Sequence, residues 1–172
     1  IWTTETVSWG ATLKLWNLDG TLNKVLPSLS NSGGGSIGID ASGNLLQSTY
    51  VYGQDVHRFT LNTDGSYTQN KNLFSPPSGY NLTAANRFEH PAWTGVTVVG
   101  NQLVAADNRI LFWNDPSSIT NGKTPDGYVG ASSFTQIPNP GFGQLKSDED
   151  NRVWAEKQNQ ILVYQAPLTT GE

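Results

Sequence analysis

The chain has 172 residues, enough for one ordinary domain with a sizeable core. Hydrophobic residues make up 36% and charged residues 14%, with net charge −4 and no basic run, so neither a disordered polyelectrolyte nor the electrostatic footprint of a nucleic-acid binder is present. No stretch approaches the roughly 18 apolar residues of a membrane-spanning helix, and the absence of Cys excludes disulfides and Cys-ligated metal.

Gly, Ser, Thr, Asn and Gln fill the rest, a mixture suited to strands and turns, with six Trp, six Tyr and six Phe to supply core surface. No long segment carries a 3.6-residue apolar period, so no helix is expected. The first unit, residues 1–27, is incomplete. It opens inside a strand at Ile1–Glu5, continues through Thr12–Leu18 and closes with Leu22–Leu26 after an Asp19-Gly20 turn. Pro27–Gly34 reads as a glycine-rich connector. The second unit, 35–75, holds strands Ser36–Ile39, Asn44–Val51, Val56–Leu61 and Tyr67–Phe74, with a turn at Asp64-Gly65. A long connector, Ser75–Pro91, carries a glycosylation-type triplet, Asn81-Leu82-Thr83.

The third unit, 92–130, holds Thr94–Val99, Leu103–Ala106, Arg109–Trp113 and Gly127–Val129, with a long polar loop from Asp115 to Asp126. The fourth, 141–172, holds Phe142–Lys146, Arg152–Glu156 and Ile161–Gln165, and lacks an outermost strand. Opening mid-pattern at Ile1, the chain reads as a processed product or an excerpt of a longer one.

One aromatic recurs in the same phase of each unit: Trp16, Phe59, Trp113 and Tyr164. The interval is roughly 50 residues, that of a four-stranded propeller blade with variable loops. A residue repeated once per blade packs between blades, so these four are expected in the core. Before the later aromatics a strand meets a Gly-Asn or Asp-Asn turn, at Gly43-Asn44, Gly100-Asn101 and Asp150-Asn151. The expectation is an all-β partial β-propeller of about three and a half four-stranded blades. The missing blades belong to a larger chain or to neighbouring chains. A small closed ring of four blades and a β-sandwich are the alternative architectures.

In the third unit, Gly100-Asn101, Ala106-Asp107, Asn108-Arg109, Trp113-Asn114 and Asn121-Gly122 follow one another in the order of the NHL-type repeat. This stretch resembles the NHL repeats of bacterial six-bladed propellers, most closely over residues 88–130, while the other units are similar in outline. The resemblance implies a six-bladed ring that binds proteins, RNA or small molecules; a few relatives are metal-dependent lyases or lactonases. The fold alone does not choose among these.

The two histidines, His57 and His90, lack ligand spacing and read as a strand residue and a connector residue. Asp148-Glu149-Asp150-Asn151 is the densest acidic cluster; it reads as a solvated turn aligned with Ala41-Ser42-Gly43-Asn44 rather than a Ca²⁺ site. Gly33-Gly34-Gly35 precedes neither a Lys-Ser pair nor a helix, so it is no phosphate cradle. No catalytic residue, metal ligand or cofactor is assigned. The ligand-contact candidates are the irregularly placed aromatics Trp9, Tyr52 and Trp93, with the variable Asp115–Asp126 loop as a second location.

The expected function is a non-catalytic secreted or cell-surface module for protein or glycan binding and assembly. Its partners are a protein, a glycan or neighbouring chains that complete the propeller. A fragment of a metal-dependent lactonase or lyase, and a structural subunit polymerising through open blade edges, are the alternatives.

Overall fold

In a computed structural model, the described residues are 1–7, 10–26, 29–30, 34–49, 56–70, 95–106, 109–119, 123, 125–134, 136 and 141–171. They form an all-β structure of four antiparallel sheets. Sheet one contains β1 (Trp2–Val7), β2 (Gly10–Trp16), β3 (Leu22–Val25) and β4 (Leu29–Ser30), the last two both paired with β2. Sheet two runs β5 (Gly34–Ile39), β6 (Leu45–Thr49), β7 (Val56–Leu61), β8 (Tyr67–Asn70) in spatial order. Sheet three runs β9 (Val96–Val99), β10 (Gln102–Ala106), β11 (Ile110–Asn114), β12 (Gly127–Val129). Sheet four has three strands, β13 (Leu145–Ser147), β14 (Arg152–Lys157) and β15 (Gln160–Gln165).

The expected strands of the third and fourth units agree with these sheets to within a few residues. Three details differ. Residues 27–34, expected as connector only, contain β4 and the start of β5. The second strand of sheet one stops at Trp16, because Asn17–Thr21 forms a turn in which the Asn17 amide donates to the Thr21 carbonyl. The Asp115–Asp126 loop contains a short 3-10 helix at Pro116–Ser118.

Four of the described turns share one device. A carboxylate accepts the backbone N–H two residues on, which pins the turn without a partner strand. Asp19 serves Thr21, Asp64 serves Ser66, Asp40 serves Ser42 and Asn44, and Asp148 serves Asp150 and Arg152. The left-handed residue directly follows the carboxylate in two of these turns, Gly20 and Gly65, and stands three residues after it in the other two, Gly43 at φ 80° and Asn151 at φ 59°. The acidic cluster is thus the structural counterpart of Asp40–Gly43, one residue off the sequence alignment with 41–44.

The sheets stack in series. β1 contacts β5, β5 contacts β9, and β9 contacts β13. Small residues permit this approach: a Cβ on Gly38 would meet the Val98 nitrogen at 2.9 Å and the Thr97 carbonyl carbon at 3.0 Å. Hydroxyls join the same strands. Thr97 Oγ1 and Ser147 Oγ lie 2.8 Å apart, Ser147 Oγ donates to the Val98 carbonyl at 2.9 Å, and Ser36 Oγ donates to Gln144 Oε1 at 2.9 Å.

Three apolar clusters fill the spaces between sheets. Leu13, Leu26, Leu45 and Phe59 lie between sheets one and two. Leu46, Val56, Val96, Val98, Leu111 and Trp113 lie between sheets two and three. Val104, Ile110, Phe112, Leu145, Val153 and Ala155 lie between sheets three and four. Sheet three is covered on both faces, so β9 and β10 are buried throughout and read as continuous apolar runs. β14 alternates buried and exposed, because one face of sheet four has no sheet against it among the described residues.

The recurring aromatics divide accordingly. Phe59 and Trp113 are buried, and Tyr164 is partly buried beside Phe142. Trp16 faces outward on sheet one, partly buried, with its indole nitrogen donating to Thr3 Oγ1 at 2.9 Å. It has the expected phase, but among the described residues no sheet covers it.

Candidate functional site

The three aromatic candidates, Trp9, Tyr52 and Trp93, lie outside the described residues, as do His90 and the Asn81 triplet. His57 sits on β7 directly opposite Gln47 of β6, on the face toward sheet one. Burial pushes the His57 imidazole below its usual 6.5. Its Nδ1 and both amide atoms of Gln47 have no hydrogen-bond partner among the described residues, and Gln47 is 0% exposed.

The acidic turn is committed to its own scaffold. Asp148 Oδ1 accepts from the Arg152 amide at 3.0 Å; Oδ2 accepts from Arg152 Nε and Trp154 Nε1, each at 2.7 Å. The Asp148 carboxyl is drawn down to about 2, chiefly by the Trp154 N–H and further by Arg152. Asp150 pairs with Arg152 Nη2 at 2.7 Å. No group of three or more metal-ligating side chains occurs among the described residues.

The loop after β11 is likewise tied down where it is described. Asp115, at φ 52°, caps the 3-10 helix through the Ser117 amide at 3.2 Å. Arg58 from sheet two donates to the carbonyls of Pro116 and Ser117. Trp113 Nε1 donates to the Lys123 carbonyl at 2.9 Å. These contacts make the loop a clamp between sheets two and three.

A cleft opens where the ends of sheets three and four meet. Its volume is about 320 Å³. The β9–β10 turn supplies Val99, Gly100, Asn101 and Gln102, β11 supplies Asn114, the β13–β14 turn supplies Asn151, and the exit from β15 supplies Gln165, Ala166 and Pro167. Among the described residues no charged side chain lines it. Gly100 at φ 53° and Asn151 at φ 59° adopt the left-handed backbone that the two turns require.

Gln102 braces this end of the molecule. Its Nε2 donates to Asn114 Oδ1 at 3.0 Å and to the Leu168 carbonyl at 3.1 Å, while its Oε1 accepts the Leu168 amide at 2.6 Å. Gln165 Nε2 donates to the carbonyls of Asp150 and Asn151 at 3.2 and 3.1 Å. Asn101 and Asn151 stand beside them with side chains outside this network.

Sequence reasoning identified Asn101 and Asn151 as turn residues and Asn114 as part of the repeat. Nothing in a single repeat shows that two turns from successive sheets converge with the Gln165–Pro167 exit. No protein-family model and no curated protein matches the chain.

Proposed function

We propose that this chain forms consecutive blades of an NHL-like β-propeller and acts as a non-catalytic secreted or cell-surface module for binding and assembly. The observation that carries this reading is the serial stacking of four antiparallel sheets whose first strands touch in turn. Radial repetition of small sheets around an axis is the propeller plan.

The assembly part rests on the two end faces. Sheet four turns Trp154, Ile161 and Val163 outward, at 39%, 69% and 47% exposure, with Arg152 and Glu156 beside them. Sheet one turns Ile1, Leu22 and Val25 outward, exposed beside the partly buried Trp16, around a Glu5–Lys14 ion pair. Contiguous apolar surface of this kind marks a docking face. β15 also has an unpaired edge among the described residues, and unpaired edges recruit strands. Neighbouring chains that add sheets there would bury both faces and the edge.

Sedimentation equilibrium over a range of concentrations tests this. The expected result is reversible association that Ile161→Lys together with Val163→Lys abolishes. A monomer of 18.7 kDa at every concentration, unaffected by the substitutions, overturns the assembly reading.

A further inference from the structure

We infer that the cleft at the junction of sheets three and four is a binding site for a neutral saccharide of one or two rings. The inference rests on the binding-module reading above and names a ligand class and a site for it. The argument is one of uncommitted hydrogen-bonding groups. Gln102 is fully engaged by Asn114 and Leu168. Asn114 accepts through Oδ1, which leaves its amino group available. Gln165 donates to backbone carbonyls, which leaves its Oε1 available. The side-chain amides of Asn101 and Asn151 make no hydrogen bond among the described residues. The cleft therefore offers amino groups from Asn101, Asn114 and Asn151, and carbonyl oxygens from Asn101, Asn151 and Gln165.

That balance matches vicinal hydroxyls, each of which donates and accepts. Charged ligands are disfavoured because no charged side chain lines the cleft, and nearby carboxylates are engaged: Asp148 and Asp150 by Arg152, Asp126 by the Asn114 amide. A purely apolar ligand would strip water from the amides without replacing their hydrogen bonds. Val99, Ala166 and Pro167 supply the apolar surface against which the C–H face of a sugar ring packs. At about 320 Å³ the cleft lies at the small end of the ligand-pocket range, roughly 300–1,000 Å³, which suits a mono- or disaccharide. Gln102 and the two left-handed turn residues hold the walls before any ligand arrives, which lowers the ordering cost of binding.

The test is an NMR titration of ¹⁵N-labelled protein with D-glucose, D-galactose, D-mannose and N-acetyl-D-glucosamine, read at the side-chain amide resonances. The expected result is a saturable shift, with at least one sugar, centred on Asn101, Asn114, Asn151 and Gln165 and insensitive to added salt. Asn101→Ala and Asn114→Ala should each weaken binding by about five- to tenfold, the loss of one hydrogen bond, while the backbone spectrum stays folded. Asn101→Ala removes a side chain that makes no hydrogen bond among the described residues, so it keeps the test open if Asn114→Ala unfolds. No saturable shift with any of the four sugars, or binding that survives both substitutions, overturns the inference. So does displacement by inorganic phosphate. Sedimentation then separates the levels: association through the end faces without sugar binding removes only this inference, and loss of both removes the binding-module reading as well.

Discussion

Gln47 occupies a fully buried strand position, yet neither atom of its amide has a partner among the described residues. A buried polar group left unsatisfied costs about 1–3 kcal/mol. Gln47→Leu keeps much of the volume and removes both orphan atoms. It is expected to raise stability by about 1–2 kcal/mol in urea unfolding. An unchanged or lowered midpoint would show that the amide has a polar partner in solution. Its neighbour His57 makes the same environment pH-sensitive. The folded imidazole titrates below its usual 6.5 because burial disfavours the cation. The unfolded chain therefore takes up the proton first. Stability is fully present above 6.5 and is lost as pH falls from there through the lowered folded-state value. In His57→Phe, unfolding midpoints measured across this window should lose that part of the slope.

Among the elements, a close backbone approach that a substitution can probe is that between β5 and β9. A methyl group at Gly38 would press on the Val98 nitrogen and the Thr97 backbone, neither of which has a flexible end to move away. Gly38→Ala is expected to destabilise by about 1–3 kcal/mol, as overpacking does. Thermal unfolding of this variant, with Gly65→Ala as a strained-turn control in open space, separates the close approach from turn strain. The elements also show what was legible beforehand. Val-Thr-Val-Val, Gln-Leu-Val-Ala-Ala and Ile-Leu-Phe-Trp-Asn between turn residues located β9, β10 and β11 closely, because short apolar runs bounded by Gly-Asn and Asp-Asn leave little choice of conformation. β4 was missed since Leu29-Ser30 is too short to carry a period, and its pairing with Gly10-Ala11 is a matter of where β2 lies.

Over the whole molecule, a chain of stacked sheets should have graded stability, with each sheet supported by its neighbours. Sheet three has apolar clusters on both faces, and sheets one and four have one each. Amide hydrogen exchange is therefore expected to be slowest in β10 and β11 and markedly faster in β3 and β15. Equal protection in all four sheets would mean that the end faces are covered in solution, and the sedimentation behaviour of the Ile161→Lys, Val163→Lys protein would show by what.

The sequence by itself determined the all-β class, most of the strands and the turn chemistry. Strand period, Asp-Gly and Gly-Asn pairs and the placement of one aromatic per unit act over a few residues, so they are readable in one dimension. It also placed Phe59 and Trp113 in the core. Only the tertiary structure decided that Trp16, in the same phase, lies on an uncovered face. Burial depends on whether another sheet stands opposite, and Trp16 has the local sequence of a packed residue without the neighbour. The cleft was decided at the same level. Its amides come from two turns, one strand end and one exit segment, each unremarkable alone, and the Gln102–Leu168 hydrogen bonds that brace them span 66 positions of the chain.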